Sequence, residues 1–219
     1  TSLTKGTTDT GSVEQKLKKC KEHFQKLFSV EIETLARNGN LFKVIEKVAT
    51  EVKANLMVLG THGKQGLQHL FGSHALKVVL DSPCPVIVVQ KRSFGKGYKN
   101  IVVPVSTELE PRQTVEWVLL MSKLFNSRIH LFQASELDPA LNSRLKIITR
   151  QIASIFEEKK IPYKIRIAEK PKDFSTQVIS YAVVNHSDLI MILTMPGIDV
   201  PGFSFSAWDE RMMFYEAQI

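Results

Sequence analysis

A chain of 219 residues, 43% hydrophobic and 23% charged, has the make-up of globular protein with room for one large or two small domains, which excludes disordered and fibrous classes. Its formal net charge is +7, and most of the excess lies early: 13 Lys/Arg against 8 Asp/Glu in residues 1–91, 16 against 14 in residues 92–219. No apolar run approaches the length that spans a bilayer, and Thr1 to Gly11 lacks the apolar core of a signal peptide, so a cytoplasmic location is expected.

Thr1 to Ser12 reads as loop. From Val13 an apolar stripe runs through Leu17, Cys20, Phe24, Leu27 and Phe28, spacing that predicts an amphipathic helix. Lys16, Lys18, Lys19, Lys21 and Lys26 share that helix. With no stacking aromatics or arginine fork beside them they read as a solvated face rather than a nucleic-acid surface. Val30 to Leu35 follows as a short predicted strand. Asn40 then stands as N-cap of a helix striped by Leu41, Val44, Ile45, Val48 and Ala49. The apolar run Leu56 to Leu59 is too short for a helix and reads as a parallel strand buried on both faces. It stops at Gly60, and Gly63, Gly66 and Gly72 follow before a helical stretch, His74 to Leu80. Ser82-Pro83-Cys84-Pro85 leads into a second apolar strand, Val86 to Val89. Cys20 and Cys84 fit neither a disulfide framework nor a metal spacing and are expected to be small core residues.

After a polar, glycine-bearing linker, Arg92 to Lys99, the pattern starts again. Strand Ile101 to Val105, a helix from Pro111 to Phe125 and strand Arg128 to Phe132 precede a second stripe: Leu141, Leu145, Ile148, Ile152, Ile155 and Phe156. Each of its six positions lies 128 residues beyond its match in the first stripe. Farther on the offset becomes 133, so that Ile32 matches Ile165, Asn40 matches Asp173, Ala49 matches Ala182, and Leu56 to Leu59 matches Leu189 to Ile192. Two copies of one α/β unit are thus expected, over residues 1–91 and 100–219, with 92–99 as linker. The segment Asn100 to Phe132 has no counterpart in the first copy, and the second copy stops where its last strand should begin. Both units read as incomplete, and the intact source protein is expected to exceed the 24.7 kDa of these residues.

The stretch from Leu56 to Val89 has the order strand, glycine loop, helix, strand. Such a loop leaves the carboxyl end of a parallel strand and ends at a helix N-terminus, where backbone N–H groups and the helix dipole suit a phosphate. It is neither a Walker loop, since Gln65 follows Lys64, nor a dinucleotide fingerprint. It resembles the universal stress protein family, whose ATP-binding members carry G-2x-G-9x-G-[ST] after the fourth strand. Gly60-Thr-His-Gly63 matches the first half and Gly72-Ser73 the second, with eight residues between Gly63 and Gly72 in place of nine. Asp81-Ser-Pro-Cys-Pro-Val-Ile-Val-Val is similar to the family's approach to its fifth strand.

The resemblance implies flavodoxin-like or Rossmann-like parallel-sheet units of the adenine nucleotide alpha hydrolase type, with strand order 3-2-1-4-5. It implies two units paired as an intrachain pseudo-dimer through their fifth strands, or a homodimer. It further implies that ATP or a related adenine nucleotide, with Mg accompanying ATP, binds at Gly60, Gly63, Gly72 and Ser73. The second copy departs from the pattern. Ser106 stands where the family carries an acidic residue, and Thr194 to Ser206, with its prolines and bulky side chains, replaces the glycine loop. That unit is expected to be a structural partner without nucleotide. His62, His69 and His74 form no ligand motif. No triad, nucleophile elbow or paired carboxylate stands out, so no catalytic residue is named and at most a slow ATP hydrolase is expected. The aromatic-rich end, Phe203 to Tyr215, reads as core or interface. An interaction module that uses the fold without nucleotide is the competing reading.

Overall fold

The computed structural model describes residues 10–60, 78–79, 81–89, 95, 97–107 and 111–193. Helix α1 (Thr10–Phe28) carries the first apolar stripe, and α2 (Leu41–Glu51) begins at Asn40. The Asn40 side-chain oxygen accepts from the N–H groups of Phe42 (3.1 Å) and Lys43 (3.4 Å), which satisfies two donors that a first helical turn otherwise leaves open. Asn40→Ala is expected to cost about 1 kcal/mol in urea unfolding. Asp173, its match in the second copy, sits at φ 56 and ψ 38 and makes no side-chain cap. Asp173→Gly is therefore expected to be neutral or stabilising, because glycine adopts that left-handed conformation without a Cβ penalty.

Strands β1 (Met57–Gly60) and β2 (Val86–Val89) pair in parallel. A second, four-stranded parallel sheet is built from β3 (Asn100–Val105), β4 (Arg128–Gln133), β5 (Tyr163–Ile167) and β6 (Leu189–Ile190), in the order β5-β4-β3-β6. In unit terms this is the expected order 3-2-1-4. Helices α3 (Pro111–Phe125), α4 (Pro139–Glu158) and α5 (Phe174–Val184) supply the crossovers that parallel pairing demands. Side chains alternate across the strands. Ile101, Val103, Val105, Ile129 and Leu131 meet α3 and α4, whereas Val102 and Phe132 meet α5. The central strand β3 is covered on both faces, which explains its unbroken apolar reading.

The helix ends recur along the chain. Shifted by 133, Leu41–Glu51 becomes Phe174–Val184. At the end of α2, Val52, Lys53 and Ala54 donate to the carbonyls of Val48, Thr50 and Ala49, and at the end of α5, Asn185, His186 and Ser187 donate to those of Tyr181, Val183 and Ala182. Both chains turn through a left-handed non-glycine residue, Lys53 (φ 49) and His186 (φ 49). Ahead of β3, Gly97 lies at φ 82 with room only for hydrogen, since a Cβ would stand 2.7 Å from Phe125 Cδ1. There the Tyr98 ring packs edge-on against Phe125.

Three expectations are corrected. Val30 to Leu35 forms no strand: a strand needs a ladder partner, and among the described residues none lies beside this segment, whereas its counterpart β5 is held by β4. Strand β1 is not buried on both faces, for Val58 is exposed. Cys20 is exposed rather than in the core, and so are its stripe neighbours Phe24, Leu27 and Phe28.

Candidate functional site

Ligands of open parallel sheets sit beyond the carboxyl ends of the strands, so the candidate site is built from those ends. In the first sheet, Pro85 accepts the Met57 N–H at 2.9 Å and fixes the register that sets Gly60, last residue of β1, opposite Val89. A Cβ on Gly60 would meet Val89 Cγ2 at 3.9 Å, ordinary contact, so room against β2 is not what glycine supplies there. Gly60 thus stands at a strand's carboxyl end, where the loop begins. Gly63, Gly72 and Ser73 lie outside the described residues, as do His62, His69, His74 and most of the helical stretch His74 to Leu80. Its residues Val78 and Val79 are helical, and Val78 is buried. The chain then tightens around Ser82, whose hydroxyl donates to the Cys84 carbonyl (2.7 Å) and accepts from the Cys84 N–H (3.4 Å). This local ring aims the chain into β2.

In the second sheet the equivalent ends are neutral. Ser106 follows β3 and is buried. Gln133 closes β4, and its Oε1 accepts the Thr149 hydroxyl at 2.8 Å inside the core. After β5, the Gln177 side chain ties down the crossover: Oε1 accepts from the N–H groups of Glu169 (2.8 Å) and Lys170 (3.2 Å), and Nε2 donates to the carbonyls of Lys170 and Lys172, both at 2.8 Å. This amide occupies four backbone groups of the crossover. Thr194 to Ser206 lies outside the described residues.

Perturbed titrating groups lie elsewhere. His130, on the α5 face of β4, is 2% exposed; its Nδ1 lies 3.3 Å from the Tyr181 hydroxyl, and Nε2 has no hydrogen-bond partner among the described residues. Burial, reinforced by the positive charges of Lys164 and Arg128, lowers its pKa from 6.5 to about 4. The sign follows from linkage. A neutral imidazole in the fold and a readily protonated one in the unfolded chain make stability fully present above about pH 6.5 and progressively lost toward pH 4. The loss is on the order of 3 kcal/mol. Urea midpoints measured from pH 7 to pH 4 should therefore fall less steeply for His130→Phe than for the parent. The Tyr163 hydroxyl is held above its usual range by its hydrogen bond to Glu157. Neither group adjoins the carboxyl ends of β1 or β3, and among the described residues no cluster of His, Cys, Asp and Glu could hold a metal.

Sequence reasoning missed Gln177 and Asp188. Asp188 Oδ2 accepts from the N–H groups of Lys99 (2.9 Å) and Asn100 (2.8 Å), and its only signal was its match to Asn55 in the repeat. Among the described residues no helix is long and apolar enough to cross a membrane.

Comparison with known proteins adds to this geometry. Residues 3–90 match the model of the Universal stress protein family. A universal stress protein of Methanocaldococcus jannaschii is 39% identical over 79 residues, which are 36% of this chain and 46% of that protein. The match therefore spans about half of the relative's length. Among solved structures, a universal stress protein from Archaeoglobus fulgidus aligns with a TM-score of 0.60 at 16% identity, over 86% of this chain and 70% of that one. A putative universal stress protein from Pseudomonas aeruginosa aligns at 0.63 and 14% identity, over 92% and 72%. At such identities the likeness establishes the α/β fold alone.

Proposed function

We propose, for a chain whose residues 3–90 belong to the universal stress protein family, that it acts in a stress response by binding ATP or a related adenine nucleotide at the glycine loop of its first unit. The observation that carries this reading is the position of Gly60, at the carboxyl end of a parallel strand whose chain returns through helical Val78 and Val79 to a parallel neighbour. Between them run Gly63, Gly72 and Ser73, whose backbone N–H groups and hydroxyl would receive the phosphates, with Mg accompanying ATP where ATP is the ligand. The second unit serves as a partner without nucleotide. Ser106 and Gln133 give its strand ends no carboxylate for a ribose, and the Gln177 amide fills the neighbouring crossover. The two units pair within the chain, a reading supported by Ile87 of β2, which packs against the core of the second sheet.

Equilibrium dialysis of labelled ATP against the full chain, with and without Mg, tests the proposal. Saturable uptake of one nucleotide per chain is expected, and product analysis over hours separates binding from slow hydrolysis. No uptake at millimolar ATP would leave the chain as an interaction module built on the same fold.

A further inference from the structure

Strand β5 closes one side of the second sheet, and the bonds at its two ends fix how its backbone is turned. The Ile129 N–H donates to the Pro162 carbonyl at 2.9 Å and the Ala168 N–H to the Gln133 carbonyl at 2.8 Å, both across to β4. Backbone groups of a strand alternate between its edges, so Lys164 and Arg166 face β4 as well, and the N–H and C=O of Tyr163, Ile165 and Ile167 face outward. Among the described residues no strand pairs with that outer edge. Side chains alternate too. Lys164 stands on the α5 face, its Nζ 3.1 Å from Asn185 Oδ1, with Arg166 on the same face, while Ile165 and Ile167 are exposed on the opposite one.

The chain's repeat supplies a segment of the opposite charge. Shifted by 133, Ile165 becomes Ile32, and Lys164 and Arg166 become Glu31 and Glu33. All four charged residues are exposed, and among the described residues none forms an ion pair. A strand formed over residues 30–34 turns Val30, Ile32 and Thr34 outward, as the repeat dictates, so its inner edge stays available to its own unit. Neither edge accepts its own copy, because β5 against β5 brings cations together and 30–34 against 30–34 brings carboxylates together. The two fit each other. In an antiparallel ladder, residues that turn their backbone groups toward one another stand opposite, which places Ile32 by Ile165, Glu31 by Arg166 and Glu33 by Lys164. A parallel ladder sets Ile165 against a glutamate, so charge fixes the direction.

We infer that residues 30–35 of one copy add as an antiparallel strand to the outer edge of β5 in a second copy. The segment, which forms no strand by itself, gains a ladder, and Ile32 and Ile165 cover each other. The two surfaces differ, so the contact is heterologous: two chains that exchange segments close a dimer, and contacts that do not close continue as a filament. An acidic strand of a different protein carries similar charge, but this chain holds its own at the matching position of the repeat. The contact uses neither the glycine loop nor the helix after it, so dialysis with ATP and the experiment below fail separately.

Sedimentation of the full chain at micromolar to millimolar concentrations should show self-association that weakens as salt is added, with slower hydrogen exchange at the Ile165 amide in the associated form. The double variants Glu31→Lys/Glu33→Lys and Lys164→Glu/Arg166→Glu should each self-associate about tenfold or more weakly than the parent, since each sets like charges opposite. Mixed together, the two variants should associate as the parent does and protect Ile165 again, because the reversed charges match across chains. That recovery also requires both variants to be folded. A parent that stays monomeric, variants that associate as well as the parent, or a mixture that restores nothing overturns the proposal. Protection of Ile165 that does not change with concentration overturns it too, since the segment would then pair within its own chain.

Discussion

Gly72→Val is expected to abolish ATP binding while thermal unfolding of the chain stays cooperative. On the proposed reading the glycine loop would bring backbone N–H groups against phosphate oxygens, and a branched Cβ at the last glycine before Ser73 would stand between them. A rise in Kd of about 100-fold, roughly 2.7 kcal/mol, would leave about a tenth or less of the sites filled at an ATP concentration about ten times the parent's Kd. Gly197→Val is the control, since the Thr194 to Ser206 segment has Pro196, Asp199 and Phe205 where the first copy has Gly63, Gly66 and Gly72; binding should be unchanged. If both variants bind ATP as the parent does, the loop is not the site and the nucleotide reading falls.

Phe156→Ala should lower stability in urea by about 3–5 kcal/mol, a large share of the roughly 5–15 kcal/mol that holds a domain together. Its ring is fully buried, tilted against Tyr163 at 5.9 Å between centroids and enclosed by the aliphatic core of the second sheet, so truncation leaves a cavity that neighbours cannot close. Phe28→Ala removes the same ring from the repeated position, yet the parent already exposes most of it to water. A change within about 0.5 kcal/mol is expected there. Equal losses in the two variants would mean that the α1 stripe is covered in solution, contrary to its exposure in the free chain.

The contrast between those phenylalanines shows what patterning conveys. Helical periodicity located α1 and α4, and in both it depends only on residues within a few turns. The bounds Pro111–Phe125 and the Asn40 cap were legible for the same reason. Parallel pairing and strand order followed from the alternation of strands with helices and from the family resemblance. What periodicity does not contain is the neighbour. Val30 to Leu35 has strand composition without a ladder, and the stripe through Cys20 has core composition without a cover. The end of β1 at Gly60 was legible, because an apolar run broken by glycine marks a strand end. Gln177 was invisible, since an exposed-looking amide on a helix gives no sign that it will bind four backbone groups, and so was Asp173, whose type suggests a cap that its left-handed backbone does not make.

The two hydrogen bonds from Asp188 to the start of β3 have a consequence for the order in which the molecule is made. Asn100 and Asp188 are 88 residues apart, while β3 and β4 are joined by a single helical crossover. On a ribosome adding about 5–20 residues per second, the carboxylate follows Asn100 by about 4–18 s. Once β4 is made, and for the rest of that interval, β3, the most apolar strand of the sheet, has β4 on one side and an unguarded edge on the other. Contacts of long sequence separation form late because their loop entropy is paid first. The second sheet is therefore most exposed to mispairing while it is being synthesised. β6, short as it is, acts as the closing piece that ends this window, with Asp188 as its latch.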